Sequence, residues 1–256
     1  MRRVRIIPSL LIQKGGLVKS VKFKDHKYVG DPINAVKIFN EKEVDEIVIL
    51  DISATSEKRP PNIGQIKDIA SEAFMPLGYG GGITRLDEIR ELIAAGVEKV
   101  VLNTSAFANP GLITDGAKYV GSQSIVVSID VKKNLWGKYK AFVENGTKNT
   151  NLDPAVFARQ MEDAGAGEIL LNSIERDGSF SGYDLDLIHL VSSAVGIPVV
   201  AVGGASSVND FSEAVKCGAS AVSAGSMFVF QGPHRAVLIS YPTQGELLEK
   251  LFKQPG

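Results

Sequence analysis

The 256-residue chain carries 28 basic and 29 acidic side chains, so no bulk charge draws it to nucleic acid or to a membrane surface. Its 44% hydrophobic content is enough for a sizeable core, built as one large α/β barrel or as two small domains, and no apolar run approaches the ~18 residues of a membrane span. Cys217 stands alone, which excludes an internal disulfide, predicts a reducing cytoplasmic setting and reads as a small buried apolar group.

The basic start, Met1 to Arg5, leads into an apolar run interrupted by Pro8 and Gln13, which predicts a strand over 4–10 rather than a signal peptide. A long polar loop is expected over 13–30. Then follow a helix over 32–41, a strand over 46–51, a helix over 62–73, a strand over 75–78, a helix over 86–95, a strand over 99–103 and a helix over 110–120. The second half reads as strand 124–130, helix 153–164, strand 168–172, helix 185–194, strand 198–202, helix 208–217, strand 221–224 and a last helix near 245–252. The stretch Asn134 to Tyr139 reads as a hairpin, with Trp136 packed inside it; covering the site or touching a partner is the alternative. The tail 253–256 is expected to lack structure.

The chain is one half-unit written twice. Gly80-Gly81-Gly82-Ile83-Thr84 is echoed by Val202-Gly203-Gly204-Ala205-Ser206, with Gly82 and Gly204 separated by 122 positions. Leu50-Asp51-Ile52-Ser53 answers Leu171-Asn172-Ser173-Ile174, and Asn103-Thr104-Ser105 answers Ala224-Gly225-Ser226. The strands are nearly continuous apolar runs, as in a parallel sheet covered by helices. Eight β/α units in two fourfold halves, about 1–122 and 123–256, predict a (β/α)8 TIM barrel in a single domain. A doubly wound open sheet is the alternative, but twofold repetition closes a barrel more naturally.

Active sites of such barrels lie at the C-terminal ends of the strands. Glycine there lets backbone approach an anion, and helix N-terminal amides can hold phosphate oxygens. Gly81-Gly82 with Asn103-Thr104 form one candidate clamp. Gly203-Gly204 with Gly225-Ser226 form its mirror, with Asp177 and Gly178 assigned beside it. A ligand phosphorylated at both ends follows; plain tight turns are the alternative. Between the clamps Asp130 is the acid–base candidate. The repeat assigns its counterpart to position 11, which holds Leu11. Asp51 and Ser173 are candidates for orienting ligand hydroxyls. Lys19, in the long first loop, reads as a lid cation or as a solvated charge beside Lys14, Lys22 and Lys24. His26, His189 and His234 lack ligand spacing, so no metal site or cofactor is expected. At the opposite strand ends, Arg5, Glu46, Lys99 and Glu168 form a ring of alternating sign if all four point inward, and such a ring can gate a passage or dock a partner.

Across its length the chain resembles the cyclase subunit of imidazole glycerol phosphate synthase (HisF), the ammonia-using half of a glutamine amidotransferase complex. The resemblance is carried by Arg5-Ile6-Ile7-Pro8, Gly30-Asp31-Pro32, Leu50-Asp51-Ile52, Gly80-Gly81-Gly82-Ile83, Asn103-Thr104, Ser128-Ile129-Asp130, the run 165–171, Ser173 to Gly178 and Ser181 to Asp184. It implies a glutaminase partner of HisH type at the N-terminal face, a substrate with two phosphates, and an ammonia gate at Arg5, Glu46, Lys99 and Glu168. Departures accompany it. The family's Cys-Leu-Asp-Val is Ser9-Leu10-Leu11-Ile12, so one of two catalytic aspartates is absent while Asp130 matches the other. Tyr79 precedes the glycine run and is expected to reshape the pocket, and Glu175 replaces the first acid of an Asp-Arg-Asp-Gly motif. The pattern is similar to divergent HisF-like paralogues of bacterial surface-polysaccharide synthesis, associated with nitrogen entering amidino sugars (lipopolysaccharide or O-antigen) alongside a glutaminase and a sugar amidotransferase. The leading expectation is therefore a HisF-like subunit passing ammonia to a surface sugar. A working histidine-pathway cyclase/lyase is the runner-up, and a catalytically silent conduit and scaffold the third reading; the related sugar-phosphate isomerase of the same pathway fits less well.

Overall fold

The structure, a computed structural model, describes residues 4–232 and 234–252; the basic residues 1–3 and the tail 253–256 lie outside that range. In chain order, β1 (Arg5–Gln13) is followed by β2 (Gly16–Val21), β3 (Lys24–Gly30), α1 (Pro32–Glu41), β4 (Ile47–Asp51), α2 (Ile63–Glu72), β5 (Leu77–Gly80), α3 (Leu86–Ala94), β6 (Lys99–Leu102), α4 (Thr104–Ala108) and α5 (Gly111–Val120). The second half runs β7 (Ile125–Lys133), β8 (Tyr139–Val143), β9 (Lys148–Asn149), α6 (Pro154–Asp163), β10 (Glu168–Ser173), α7 (Leu185–Ser192), β11 (Val199–Val202), α8 (Val208–Lys216), β12 (Ala221–Ala224), α9 (Ser226–Val229), β13 (Phe230–Gln231), β14 (Ala236–Val237) and α10 (Gln244–Leu247), which continues as a π-type turn over Leu248–Phe252.

β1, β4, β5, β6, β7, β10, β11 and β12 pair in parallel in that order, and β12 returns to β1 through Ile6↔Val222, closing a (β/α)8 barrel. Alternate strand residues build two cores. Ile7, Val48, Val101, Val126, Leu170, Val200 and Ala221 fill the barrel interior, while Ile6, Ile49, Val100, Val127, Ile169 and Val199 meet the helices. Each such burial contributes about 1.5–3 kcal/mol, on the axis face and on the helix face alike. Among the described residues no helix is long and apolar enough to cross a membrane.

Local chemistry repeats with the sequence. Asp31 and Asp153 each cap a helix whose first residue is proline, their side chains accepting from the amides of Asn34 and Ala155. Glu88 accepts from the amides of Thr84 and Arg85 at 2.7 and 3.0 Å, and Asp210 accepts from those of Ser206 and Ser207 at 2.7 and 2.9 Å. The amides that lead into α3 and α8 are thereby satisfied from within.

Several expectations need correction. The segment 13–30 is no loop: β2 and β3 form an antiparallel hairpin on β1, with Leu11↔Val18 in register. Its turn uses Lys22 and Phe23 at φ +53° and +62°, without the glycine or asparagine that signals a tight hairpin. β5 lies two residues later than expected and so includes Tyr79. Gly78 and Gly80 face the barrel interior, against Val48 and against Leu50 and Val101, while Tyr79 packs outward in the helix-facing core. Tyr79 therefore does not shape the cavity. Trp136 does sit in a hairpin, between β7 and β8, but it is 86% exposed and packs on nothing there. Cys217 is half-buried at the end of α8.

Candidate functional site

One cavity of about 610 Å³ opens at the C-terminal ends of the barrel strands. It is lined by Leu11, Lys19, Asp51, Gly81, Gly82, Asn103, Thr104, Asp130, Asp177, Gly178, Gly203, Gly204, Gly225 and Ser226. Strand ends far apart in sequence thus bring nearly all the predicted mouth residues together. Ser173 is the exception: buried on β10, it lies outside the lining, and the inward neighbour Asn172 takes its place.

The two halves of the mouth are built alike. Gly82 has φ +74°, and a Cβ there would strike the carbonyl of Arg59; Gly204 has φ +104°, and a Cβ there would strike the carbonyl of Gly182. Only glycine lets those loops turn down against the strands. Beside them the short helices α4 and α9 follow directly on Asn103 and Gly225, and neither receives a side-chain cap. Glu88 and Asp210 engage the amides that lead into α3 and α8, whereas α4 and α9 receive no such side chain, which leaves their starts as the candidate anion sites.

Asp130 sits near the end of β7, buried, opposite Asn172 in register. Asn103 Nδ2 donates to the Ser128 carbonyl at 2.9 Å and to Asp130 Oδ2 at 3.3 Å. Burial, reinforced by the charge of Asp177, pushes the Asp130 carboxyl up to about 7, with a hydrogen bond from Asn172 opposing the shift. Asp177 is itself raised by burial, although the Ser20 hydroxyl donates to it at 2.8 Å and Lys19 lies nearby. Leu11 lines the same cavity with a side chain that cannot carry a proton.

Lys19 lies on β2, buried, rather than on a free loop. Its ammonium donates to the Ser9 carbonyl and occupies the space that a Cβ at Gly225 would need, so it stands against the start of α9. Burial lowers its pKa to about 8, with Asp177 opposing.

Asp51 is fully engaged. Arg59 reaches its two oxygens at 2.8 and 2.9 Å, and the amides of Ser53 and Ala54 donate to it at 3.1 and 3.2 Å. This pair anchors the loop after β4 under Gly82. Arg59 and Asn172 escaped the sequence reading; the repeat offered a signal for Asn172, which stands at the place corresponding to the end of β4. His26, exposed on β3, also reaches the mouth.

At the other end of the axis the four predicted charges do converge. Arg5 contacts both Glu46 and Glu168, and Lys99 Nζ lies 2.9 Å from Glu46 and 2.8 Å from Glu168. Both carboxylates are buried, so each depends on the two cations for compensation. The apolar layer of Ile7, Val48, Val101 and Leu170 lies between this ring and the cavity.

The profile of the family described as histidine biosynthesis protein matches residues 5–234. A protein of Pseudomonas aeruginosa named "Putative imidazole glycerol phosphate synthase subunit hisF2" is 51% identical over 249 residues, covering 96% of this chain and 99% of its own length. A Leptospira interrogans protein named "Putative imidazole glycerol phosphate synthase subunit HisF" is 48% identical, covering 98% of this chain and all of its own. The imidazole glycerol phosphate synthase subunit HisF of Alkaliphilus metalliredigens is 45% identical over 225 residues, covering 88% of this chain and 89% of its own.

Proposed function

The chain belongs to the histidine biosynthesis protein family, as a HisF-type synthase subunit, and from that premise we propose that it receives ammonia from a glutaminase and delivers it for nitrogen transfer to a surface sugar. In this reading a HisH-like glutaminase docks over the ring of Arg5, Glu46, Lys99 and Glu168, and ammonia follows the barrel axis to the mouth. The first turns of α4 and α9 hold the two phosphates of a ligand, Lys19 pairs with one of them from its seat beside Gly225, and Asp130 moves the proton at the reacting carbon. Asp51 acts through Arg59 to hold the loop under the first phosphate. The surroundings of the protein are cytoplasmic in this reading.

Leu11 carries the proposal. It lines the cavity at the position that the repeat makes the counterpart of Asp130, and losing one of two proton-transfer groups costs about 10²–10⁴ in rate. Ordinary cyclase chemistry is disfavoured accordingly. A genuine histidine-pathway cyclase is the second reading, favoured by Asp130, whose pKa near 7 suits it to both give and take a proton. The experiment is turnover of the bisphosphate ribulosyl-aminoimidazole substrate with free ammonia at mildly alkaline pH, for wild type and Leu11→Asp. No wild-type turnover, with activity appearing in Leu11→Asp, is the expected result. Robust wild-type turnover establishes the histidine-pathway cyclase instead.

A further inference from the structure

Among the described residues two buried side-chain polar atoms have no hydrogen-bond partner, and one of them, Asn172 Oδ1, belongs to a residue that lines the mouth. A buried acceptor left unpaired is destabilising, so its persistence calls for a physical reason. Asn172 lies on β10 two residues after Leu170, and alternation along the strand turns both side chains inward. It stands in register with Asp130 of β7 and donates a hydrogen bond to its carboxylate. Asn103, at the end of β6, donates to the same carboxylate at 3.3 Å. Asp130 therefore sits between two carboxamides.

The two carboxamides are held differently. Asn103 is locked, because its Nδ2 also donates to the Ser128 carbonyl at 2.9 Å and its Oδ1 accepts from the Thr104 hydroxyl at 3.3 Å. Turning it over would set oxygen against that carbonyl. For Asn172 the bond to Asp130 is the one anchor of the carboxamide among the described residues. Its Oδ1 lies 3.0 Å from the point where a Cβ on Gly203 would stand, and the Ser173 carbonyl lies 2.8 Å from the same point. The amide of Asp177 beside them already donates to that carbonyl at 3.0 Å. Two acceptors thus border the space that glycine leaves at 203, and a carboxamide turned over would place its donor there instead.

We infer that Asn172 is a positioning residue for Asp130 whose carboxamide follows the proton: Nδ2 donates to the ionised carboxylate, and the group turns over so that Oδ1 accepts from the protonated carboxyl. The inference deepens the proposed function and rests on it for the use of that proton, which Asp130 moves at the reacting carbon. A carboxyl that exchanges its proton in a buried site needs a donor in one state and an acceptor in the other, and a carboxamide free to turn supplies both. Locked Asn103 supplies only the donor. Of the charged groups around Asp130, Asp177 acts on it directly, Lys19 and His26 act on Asp177, and Asp51 is paired with Arg59. The neighbouring strands β6 and β8 bring Asn103 and Phe142, which are neutral.

The test is nuclear magnetic resonance of the isotope-labelled chain without ligand, well below and well above the midpoint at which the Asp130 carboxyl carbon titrates. Cross-relaxation between the Asn172 side-chain amide protons and the Gly203 α protons is expected below the midpoint and is expected to be lost above it. The same contact at both pH values overturns the inference. In Asp130→Asn the pattern should no longer change with pH; a change that persists would assign the turn to Asp177 and overturn the inference as well. Asn172→Leu can neither donate nor accept. Because a hydrogen bond to a charged group outweighs one between neutral groups, the Asp130 midpoint should rise in that variant by about one pH unit, and an unchanged or lowered midpoint counts against Asn172. None of these measurements uses a substrate, so a failure of nitrogen transfer from glutamine would overturn the proposed function and leave the turning carboxamide standing.

Discussion

At the residue scale, Asp130 is the group most governed by its surroundings. Its folded pKa of about 7 lies above the ordinary carboxylate value of ~3.9, so between those pH values the folded chain binds more protons than the unfolded one. Its contribution to stability is greatest below pH ~4 and is lost as pH rises toward 7. Asp130→Asn removes the buried charge in nearly the same shape. Denaturant unfolding should find the variant more stable than wild type at pH 8, by up to about 4 kcal/mol, and no more stable at pH 4. A difference that does not change with pH would mean that Asp130 ionises at no cost. The place of Asp130 was legible because it ends an apolar strand. Its tuning was not, because Asp177, Asn172 and Asn103 come from strands and loops up to 47 residues away.

At the element scale, the short helices α4 and α9 distinguish the mouth from the rest of the barrel. Neither was legible, since runs of five and four residues are too short to show a helical period. Gly225 tests the proposal for α9 without backbone strain, because it does not occupy the left-handed region. Gly225→Ala displaces the Lys19 ammonium from its seat. Removing a charge-assisted contact worth about 1.5–3 kcal/mol should weaken binding of a bisphosphate ligand by roughly tenfold or more, with little change in Tm. Unchanged affinity in a fluorescence or calorimetric titration would remove Lys19 from the phosphate site. The β2–β3 hairpin that carries Lys19 was hidden by its sequence: β2 is buried and β3 is exposed and polar, so the segment as a whole reads as a loop.

At the scale of the whole molecule, the barrel has two chemically distinct ends separated by an apolar plug. The lower ring balances Arg5 and Lys99 against Glu46 and Glu168. Lys99→Glu leaves three acids against one cation, and breaking such a network should cost about 3–5 kcal/mol in denaturant unfolding. If the ring also receives a glutaminase, the same variant should uncouple glutamine hydrolysis from nitrogen transfer; unchanged coupling would leave the ring a structural device. All four charges were legible as strand-start residues; that all four point inward and meet was decided by strand register in the closed barrel.

By itself the sequence determined the eightfold alternation, its twofold repeat and the chemical types gathered at each end of the barrel. These follow from local periodicity and from glycine and capping residues that recur 122 positions apart. The tertiary structure alone decided the direction of Tyr79, the pairing of Asp51 with Arg59, the seat of Lys19 against Gly225 and the exposure of Trp136. Each depends on strand register or on which loop lies above another. A shift of one residue in register turns every side chain of a strand to its other face, and no local pattern in this chain fixes that choice.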